Sequence, residues 1–179
     1  MSKKKLPKLI VILGPTATGK TKLAVALARK FNGEIVSVDS RQVYKGMDIG
    51  TGKDLSEYRF KIYDLRFKKN KIKKIPYHLI DVCKPNTEFN VAKFKKLALE
   101  KIYDIRKRGK TPFLVGGTGL YISAIVDNLD LPAVAPNKKI RKKLNSLTLS
   151  KKIQLLKKLD PAALKFIDIK NPRRVDRAL

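Results

Sequence analysis

The apolar residues of the chain alternate between short runs and helical stripes. Short runs at residues 9–13, 34–38 and 110–115 have the length and continuity of buried strands. Between them, apolar residues recur at helical spacing over 20–31 and 91–105. Alternating strands and helices are typical of a parallel sheet. The pattern therefore predicts an α/β fold in which helices flank a parallel sheet.

The strand pattern stops after residue 132. Beyond it, four residues precede short basic or apolar-striped segments and are predicted helix N-caps: Asn137, Ser150, Asp160 and Asn171. We therefore predict an α/β core over residues 1–132 and a helical annex over 133–179. Within the core, residues 52–76 form a Lys-rich excursion whose structure the pattern does not define. We place its basic run, 68–74, in a loop.

A glycine-rich loop links the first predicted strand to the first predicted helix. Its residues are Gly14, Pro15, Thr16, Ala17, Thr18, Gly19, Lys20 and Thr21. In such a loop, backbone N–H groups close around phosphate oxygens at the positive end of the helix. Lys20 adds a cation, and Thr21 offers a hydroxyl to a metal ion. This context predicts a P-loop NTPase-like parallel sheet that holds a diphosphate or triphosphate.

Two more polar clusters follow predicted strands. Asp39 begins one after the second strand, and Thr118 lies in a Gly-Gly-Thr-Gly stretch after the third. Ligands of open α/β sheets bind at the carboxyl ends of the strands, so both residues are candidates for substrate contact, although each can instead be a turn residue. The third strand ends without the acidic residue that NTP-hydrolysing enzymes usually place there. Asp81, after the short predicted strand 77–80, is interpreted as a loop cap.

Five ordered segments together resemble the tRNA dimethylallyltransferase family, also called tRNA isopentenyltransferases. They span nearly the whole chain: 14–21, 39–44 with 47–53, 76–81, 116–121 and 171–179. The resemblance implies transfer of a dimethylallyl group from dimethylallyl diphosphate to an exocyclic amine of tRNA. The acceptor would be the adenosine just 3′ of the anticodon, so the implied partner is the tRNA anticodon stem-loop. It also implies Mg²⁺ as cofactor.

The resemblance further implies roles for individual residues. Asp39 would accept the amine's proton, Lys20 would stabilise the departing diphosphate, and Thr118 would contact the target nucleotide. Thr21 would lie beside the metal ion. The implied tRNA-binding set is Asp39, Ser40, Arg41, Gln42, Thr118, Arg141, Arg173, Arg174, Val175, Asp176 and Arg177. For the four arginines of the annex, a solvated helix face is the alternative.

Composition agrees with a polyanionic partner. The chain has 42 Lys plus Arg against 15 Asp plus Glu, a formal net charge of +27. Such a surface attracts nucleic acid by releasing counterions, although a general preference for Lys or a membrane-surface habit would give the same balance. The single cysteine, Cys83, favours a reduced thiol in the cytoplasm. No apolar run is long enough to span a bilayer, and we expect a monomer. His78, the one histidine, is expected beside the sheet because a lone imidazole builds no metal site.

The sequence leaves other functions open. An adenylate isopentenyltransferase would prenylate a free nucleotide, a small-molecule kinase would use ATP at the same loop, and an RNA-binding fragment would lack catalysis. The missing acidic strand end counts against the kinase, and the high charge favours tRNA over a free nucleotide. The chain ends at 177–179 inside a predicted helix, whereas family members continue. The family places further tRNA contacts and a diphosphate-binding arginine in that continuation, so the activity of this chain alone is left open.

Overall fold

The computed structural model describes residues 8–64, 66, 68–131 and 137–179. The chain divides into two compact units, residues 1–131 and 132–179. The elements of the first unit are β1 (Ile10–Leu13), α1 (Lys20–Lys30), β2 (Gly33–Val38), β3 (Arg59–Asp64), β4 (Lys69–Lys74), β5 (Tyr77–His78), α2 (Val91–Lys107), β6 (Thr111–Gly116) and α3 (Gly119–Val126). A short 3-10 turn, Leu55–Tyr58, precedes β3.

Four strands of the first unit form one parallel sheet in the spatial order β1-β6-β2-β5. The central strand β6 pairs with β1 on one side and with β2 on the other. Gly116, the last residue of β6, pairs with Leu13 of β1 and with Val38 of β2. The carboxyl ends of these three strands therefore meet at one edge of the sheet, where the loops that follow them can share a ligand.

Both faces of this sheet are covered by helices. Alternate strand residues point to opposite faces, so Val36 and Leu114 pack with α2 and α3 while Ile35 and Phe113 pack with α1. A strand that is buried on both faces needs apolar residues at consecutive positions. This explains the continuous apolar runs in the sequence, and the predicted α/β fold with a parallel sheet flanked by helices is confirmed.

The predicted strand 77–80 is wrong in length, since β5 stops at His78. Leu79 and Asp81 have φ angles of 63° and 56°, which take the backbone out of the extended strand conformation. Leu79 is nevertheless buried in the core. Such a conformation is rare for leucine, so the residue types did not indicate the early end of the strand.

The Lys-rich excursion forms a two-stranded antiparallel ribbon of β3 and β4, the 59–74 ribbon. The prediction of a loop at 68–74 is therefore wrong. At the base of the ribbon, Ile75 N donates to Tyr58 O at 2.9 Å, and the Tyr58 ring lies 4.5 Å from the ring of Tyr77. Phe60 packs against the core cluster beside α1. The ribbon is thus fixed to the α/β unit at its base.

The second unit contains three helices: α4 (Lys138–Asn145), α5 (Leu149–Leu159) and α6 (Pro172–Ala178). Asn137 and Asn171 cap α4 and α6 as predicted, because each side chain accepts hydrogen bonds from backbone N–H groups of the first turn. The N-cap of α5 is Thr148, so the prediction for Ser150 is wrong by two residues. Asp160 accepts from Ala163 N at 3.1 Å and caps a 3-10 turn instead of an α-helix.

A buried carboxylate lies at the opposite end of β2 from the loops. Glu34 is almost fully buried and is paired with Arg108, with Lys110 Nζ at 2.7 Å and with His78 Nε2 at 2.8 Å. Two hydrogen bonds from Arg108 hold the pKa of Glu34 well below its ordinary value, against burial, which alone would raise it. His78 therefore lies at the sheet as an ion-pair partner of Glu34.

We expect Glu34→Gln to lower the free energy of unfolding by about 2–4 kcal/mol at neutral pH, because it leaves the cations facing a neutral partner. The carboxylate's contribution is present above its unfolded pKa of about 4.3. It is lost as the pH falls through the lower folded pKa, so the difference should narrow in acid. Urea unfolding at pH 7 and pH 3 measures this. Asp104→Asn, which removes an exposed carboxylate 3.0 Å from the same Arg108, should change little, and an equal loss would contradict the prediction.

Gly116 is required by the close approach of β6 to β2. A Cβ on Gly116 would lie 2.1 Å from Val38 O, and a backbone carbonyl inside a sheet cannot rotate away. We expect Gly116→Ala to lower the free energy of unfolding by about 1–3 kcal/mol, the usual cost of overpacking. Gly119→Ala is the matched control, because a Cβ there meets nothing within 4 Å. Equal midpoints in chemical denaturation of the two variants would refute the close approach.

Candidate functional site

One cavity opens at the carboxyl edge of the sheet, with a volume of about 590 Å³. Its walls come from residues 15–22 after β1, 39–42 after β2 and 116–118 after β6, with 51–58 along the side. The structure therefore brings the predicted diphosphate loop together with Asp39 and Thr118. Gly14 does not line the cavity; it lies behind the loop, where a Cβ on Gly117 would be 3.2 Å from Gly14 O.

The 14–21 loop turns directly into the N-terminus of α1. Gly19 and Ala17 have φ angles of 78° and 63°, which curl the backbone before the helix starts. The first turn of α1 contains no acidic residue, so the positive end of the helix is not neutralised from within. Lys20 Nζ donates to Pro15 O and approaches Thr18 Oγ1 at 3.4 Å. Helix dipole, curled backbone and ammonium group thus face the same wall of the cavity, an arrangement suited to an anion.

Asp39 closes a tight turn at the end of β2. Its Oδ1 accepts hydrogen bonds from Arg41 N at 2.8 Å and from Gln42 N at 3.2 Å. The turn-capping role that the sequence left open is therefore present in the structure. Both bonds are made to Oδ1, so one oxygen can hold the turn while the other accepts a proton from a substrate. The carboxylate lines the cavity and is half-buried.

Thr118 joins the ends of β2 and β6. Its backbone N donates to Val38 O at 3.3 Å, and its Oγ1 accepts from Ser40 N at 3.3 Å. The hydroxyl makes no capping bond to α3, which Thr118 precedes. It is instead held beside the Asp39 turn, so a ligand that contacts Thr118 would also lie near that turn.

Gln42 and Arg41 have different environments. Gln42 accepts from Ser37 Oγ at 3.2 Å, and its Nε2 donates to the carbonyls of Thr51 and Gly52, both at 3.2 Å. Its side chain therefore ties β2 to the 51–52 backbone as well as lining the cavity. Arg41 is exposed, so of the two it has the freer side chain for a large partner.

Lys53 was not recognised as important from the sequence. Its side chain is 1% exposed, and its Nζ donates to Tyr44 O at 2.9 Å, Asp48 Oδ1 at 2.8 Å and Asp81 Oδ1 at 2.6 Å. Burial alone would lower the pKa of Lys53, but the two carboxylates outweigh it and raise the pKa. The ion pair joins the 44–53 segment to the end of β5, and Asp81 has the structural role predicted for it.

The remaining predicted tRNA contacts lie in the second unit and fall into two groups. Arg141, Arg173, Arg174 and Arg177 are exposed. Val175, in contrast, is fully buried with Leu156, and Asp176 pairs with Lys152 Nζ at 2.7 Å. These last two predicted residues stabilise the unit, because burial and ion pairing occupy their side chains. The exposed arginines are the part of the set that a nucleic acid can reach.

The side chains of the cavity fit a magnesium ion held mainly by a ligand. The described residues contain no cluster of three His, Cys, Asp or Glu side chains that could hold a metal by itself. Mg²⁺ usually keeps several waters and binds through one or two carboxylates plus substrate phosphates. Thr21, in the first turn of α1, and Asp39 line the same cavity. These oxygen donors are of the type that such an ion uses. In the described part of the chain, no helix is both long and apolar enough to cross a membrane.

The fold and the site define an α/β protein with a glycine-rich loop at the start of its first helix and a carboxylate at the neighbouring strand end. Residues 42–179 match the IPP transferase family, and residues 7–63 match the isopentenyl transferase family. The chain therefore belongs to the IPP transferase family. The resemblance found in the sequence is confirmed.

Individual relatives agree with this assignment. A tRNA dimethylallyltransferase 2 of Syntrophotalea carbinolica is 46% identical over 171 residues, 96% of this chain and 53% of the relative. The crystal structure of the full-length tRNA isopentenylpyrophosphate transferase of Bacillus halodurans is 42% identical, with a TM-score of 0.60 over 96% of this chain and 54% of that one. A eukaryotic dimethylallyltransferase, described by crystallographic snapshots of its action on tRNA, is 31% identical, with a TM-score of 0.75 over 96% and 40%. The chain spans about half the length of the curated relatives it matches.

Proposed function

We propose that this chain takes part in transferring a dimethylallyl group from dimethylallyl diphosphate to the exocyclic amine of a tRNA adenosine just 3′ of the anticodon. One observation carries the proposal: an anion-type loop and the Asp39 carboxylate line the same cavity. Membership in the IPP transferase family supports the reaction class, and relatives at 46% identity are named as tRNA dimethylallyltransferases. Action on tRNA also favours a cytoplasmic location.

In the proposed reaction, the allylic carbon–oxygen bond breaks and both electrons leave with the diphosphate. The negative charge that develops on the leaving oxygen would be stabilised by the backbone N–H groups at the start of α1 and by Lys20. These groups already face the cavity, so they need little rearrangement when the charge appears. A magnesium ion bound near Thr21 would add Lewis-acid stabilisation of the same charge.

The amine of adenosine forms the new carbon–nitrogen bond and must lose a proton. Its lone pair is delocalised into the purine ring, so a carboxylate that accepts the proton would assist the attack. Asp39 is the cavity carboxylate whose Oδ1 is held by two backbone N–H groups. Its Oδ2 is then the oxygen that would take the proton. Thr118, fixed to Ser40 N, would orient the acceptor beside it.

The tRNA acceptor is favoured over a free adenylate by charge. The formal net charge is +27, and Arg41 at the cavity and the four exposed arginines of the second unit offer cations to a polyanion. A mononucleotide needs few of these groups. Each phosphate contact to a nucleic acid, in contrast, releases counterions and adds affinity.

The test is incubation of the chain with Mg²⁺ and labelled dimethylallyl diphosphate, together with unmodified tRNA or with AMP. Label in tRNA but not in AMP supports the proposal. Label in AMP alone would indicate the adenylate enzyme. Transfer from γ-labelled ATP to a small molecule would indicate a kinase. Binding of tRNA without transfer, under conditions in which a full-length relative is active, would leave a non-catalytic RNA-binding chain.

A further inference from the structure

The 59–74 ribbon concentrates positive charge beside the cavity. Its sixteen residues include eight Lys or Arg and one acidic residue. The two residues that precede it, Glu57 and Tyr58, line the cavity, and Tyr58 is buried. The ribbon is therefore a direct continuation of the cavity wall.

The ribbon cations differ from other lysines of the chain in their partners. Lys53, Lys110 and Lys152 each lie within 2.8 Å of a carboxylate oxygen. Lys61, Lys71 and Lys73 are exposed, and no acidic side chain in the described part of the chain forms an ion pair with any of them. Their charge is thus not neutralised from within the protein.

This arrangement has a cost that a polyanion would relieve. Arg59 lies directly opposite Lys74, and like charges opposite each other destabilise a strand pair. A two-stranded ribbon is also only marginally stable by itself. The anchor at Phe60 and Tyr58 opposes these effects. Neutralisation by bound phosphates would remove the repulsion as well as add contacts.

We propose that the 59–74 ribbon is an arm that binds the phosphate backbone of the tRNA whose adenosine enters the cavity, through Lys61, Lys71 and Lys73. This inference rests on the proposed function for the identity of the RNA. Lys71 and Lys73 are alternate residues of β4 and so lie about 7 Å apart on one side of the strand, a spacing suited to neighbouring phosphates of one strand. The ribbon's position at the cavity wall favours tRNA over an anionic membrane. Ile72 is the large apolar side chain that is more than half exposed among the ribbon side chains the structure describes.

The test is the salt dependence of tRNA binding by the whole chain. Replacing Lys61, Lys71 and Lys73 together by Gln should flatten the slope of log affinity against log salt by about 2–3, because each phosphate contact contributes roughly 0.7–0.9. The matched control replaces Lys96, Lys101 and Lys107 by Gln. These lysines are exposed on α2, remove the same charge and do not line the cavity. The control should leave the slope nearly unchanged, and the Arg version of the ribbon triple should retain it.

Two further measurements keep the outcome unambiguous. Pyrophosphate affinity and the unfolding midpoint of the ribbon variant should match those of the unmodified chain, which shows that the cavity is intact. Equal flattening in both triple variants would mean that only bulk charge matters and overturns the arm. Binding to phosphatidylserine vesicles with no binding to tRNA overturns it as well. A ribbon-dependent slope without prenyl transfer would support the arm while refuting the proposed function.

Discussion

Replacing Asp39 by Asn is expected to lower the rate of prenyl transfer by about 10²- to 10⁴-fold, the usual contribution of a positioned proton acceptor. The amide keeps an Oδ1 that can accept from Arg41 N and Gln42 N, so the turn should persist. It replaces Oδ2 by a group that cannot take the amine's proton. Single-turnover transfer, with both substrates saturating, measures the effect on chemistry separately from the effect on binding.

The structure offers a matched control in Asp54. This residue also lines the cavity, and its Oδ1 also holds a backbone turn, accepting from Ser56 N at 2.9 Å. Asp54→Asn should leave the transfer rate within a few-fold of the original. Affinity for dimethylallyl diphosphate should barely change in either variant. If Asp39→Asn transfers normally, or if weaker diphosphate binding explains its whole loss, Asp39 is a turn cap only.

Replacing Lys20 by Ala is expected to weaken pyrophosphate and dimethylallyl diphosphate binding by at least about 10- to 100-fold, the equivalent of one charge-assisted hydrogen bond. The ammonium group lies inside the 14–21 loop, on Pro15 O, where it would also reach an anion at the start of α1. Lys20 is only partly buried and belongs to neither core cluster. Its loss should therefore leave the fold intact, which the unfolding midpoint checks.

Lys22→Ala is the control for this prediction. Lys22 is exposed, lines the same cavity and follows Lys20 by two residues on α1, so the variant removes equal charge from a nearby position. Isothermal titration with pyrophosphate should show little change for Lys22→Ala. Similar losses in the two variants would show that the cavity attracts anions only by its general charge, and the specific role of Lys20 would have to be abandoned.

The parts of the structure that the sequence predicted well depend on local periodicity and on glycine. The first helix was predicted over 20–31 and is observed over Lys20–Lys30. The second predicted helix, with apolar positions over 91–105, is observed as Val91–Lys107. These signals are local, because the residues that face one side of a helix or sheet recur at a fixed spacing. The parallel arrangement followed from the alternation of strands and helices.

Features that depend on side chains distant in sequence were not predicted. Lys53 and Asp81 are 28 positions apart, and Glu34 and Arg108 are 74 apart, so no spacing in the sequence indicates that either pair meets. The ribbon was missed for a related reason. Its β4 strand is rich in lysine, which is depleted in strands, and pairing with β3 together with the anchor at Phe60 overrides that preference.

The sequence by itself determined the α/β fold and the identity of the residues at three strand ends, because periodicity, glycine spacing and family motifs are written along the chain. Only the tertiary structure decided how these residues are used. The spatial order β1-β6-β2 places Gly116 against Val38, and this contact brings Thr118 within hydrogen-bonding distance of Ser40 N. The tertiary structure likewise assigned Oδ1 of Asp39 to the turn, buried Val175 and left the ribbon lysines exposed. Packing between distant segments sets each of these outcomes, and a linear pattern of residue types does not contain it.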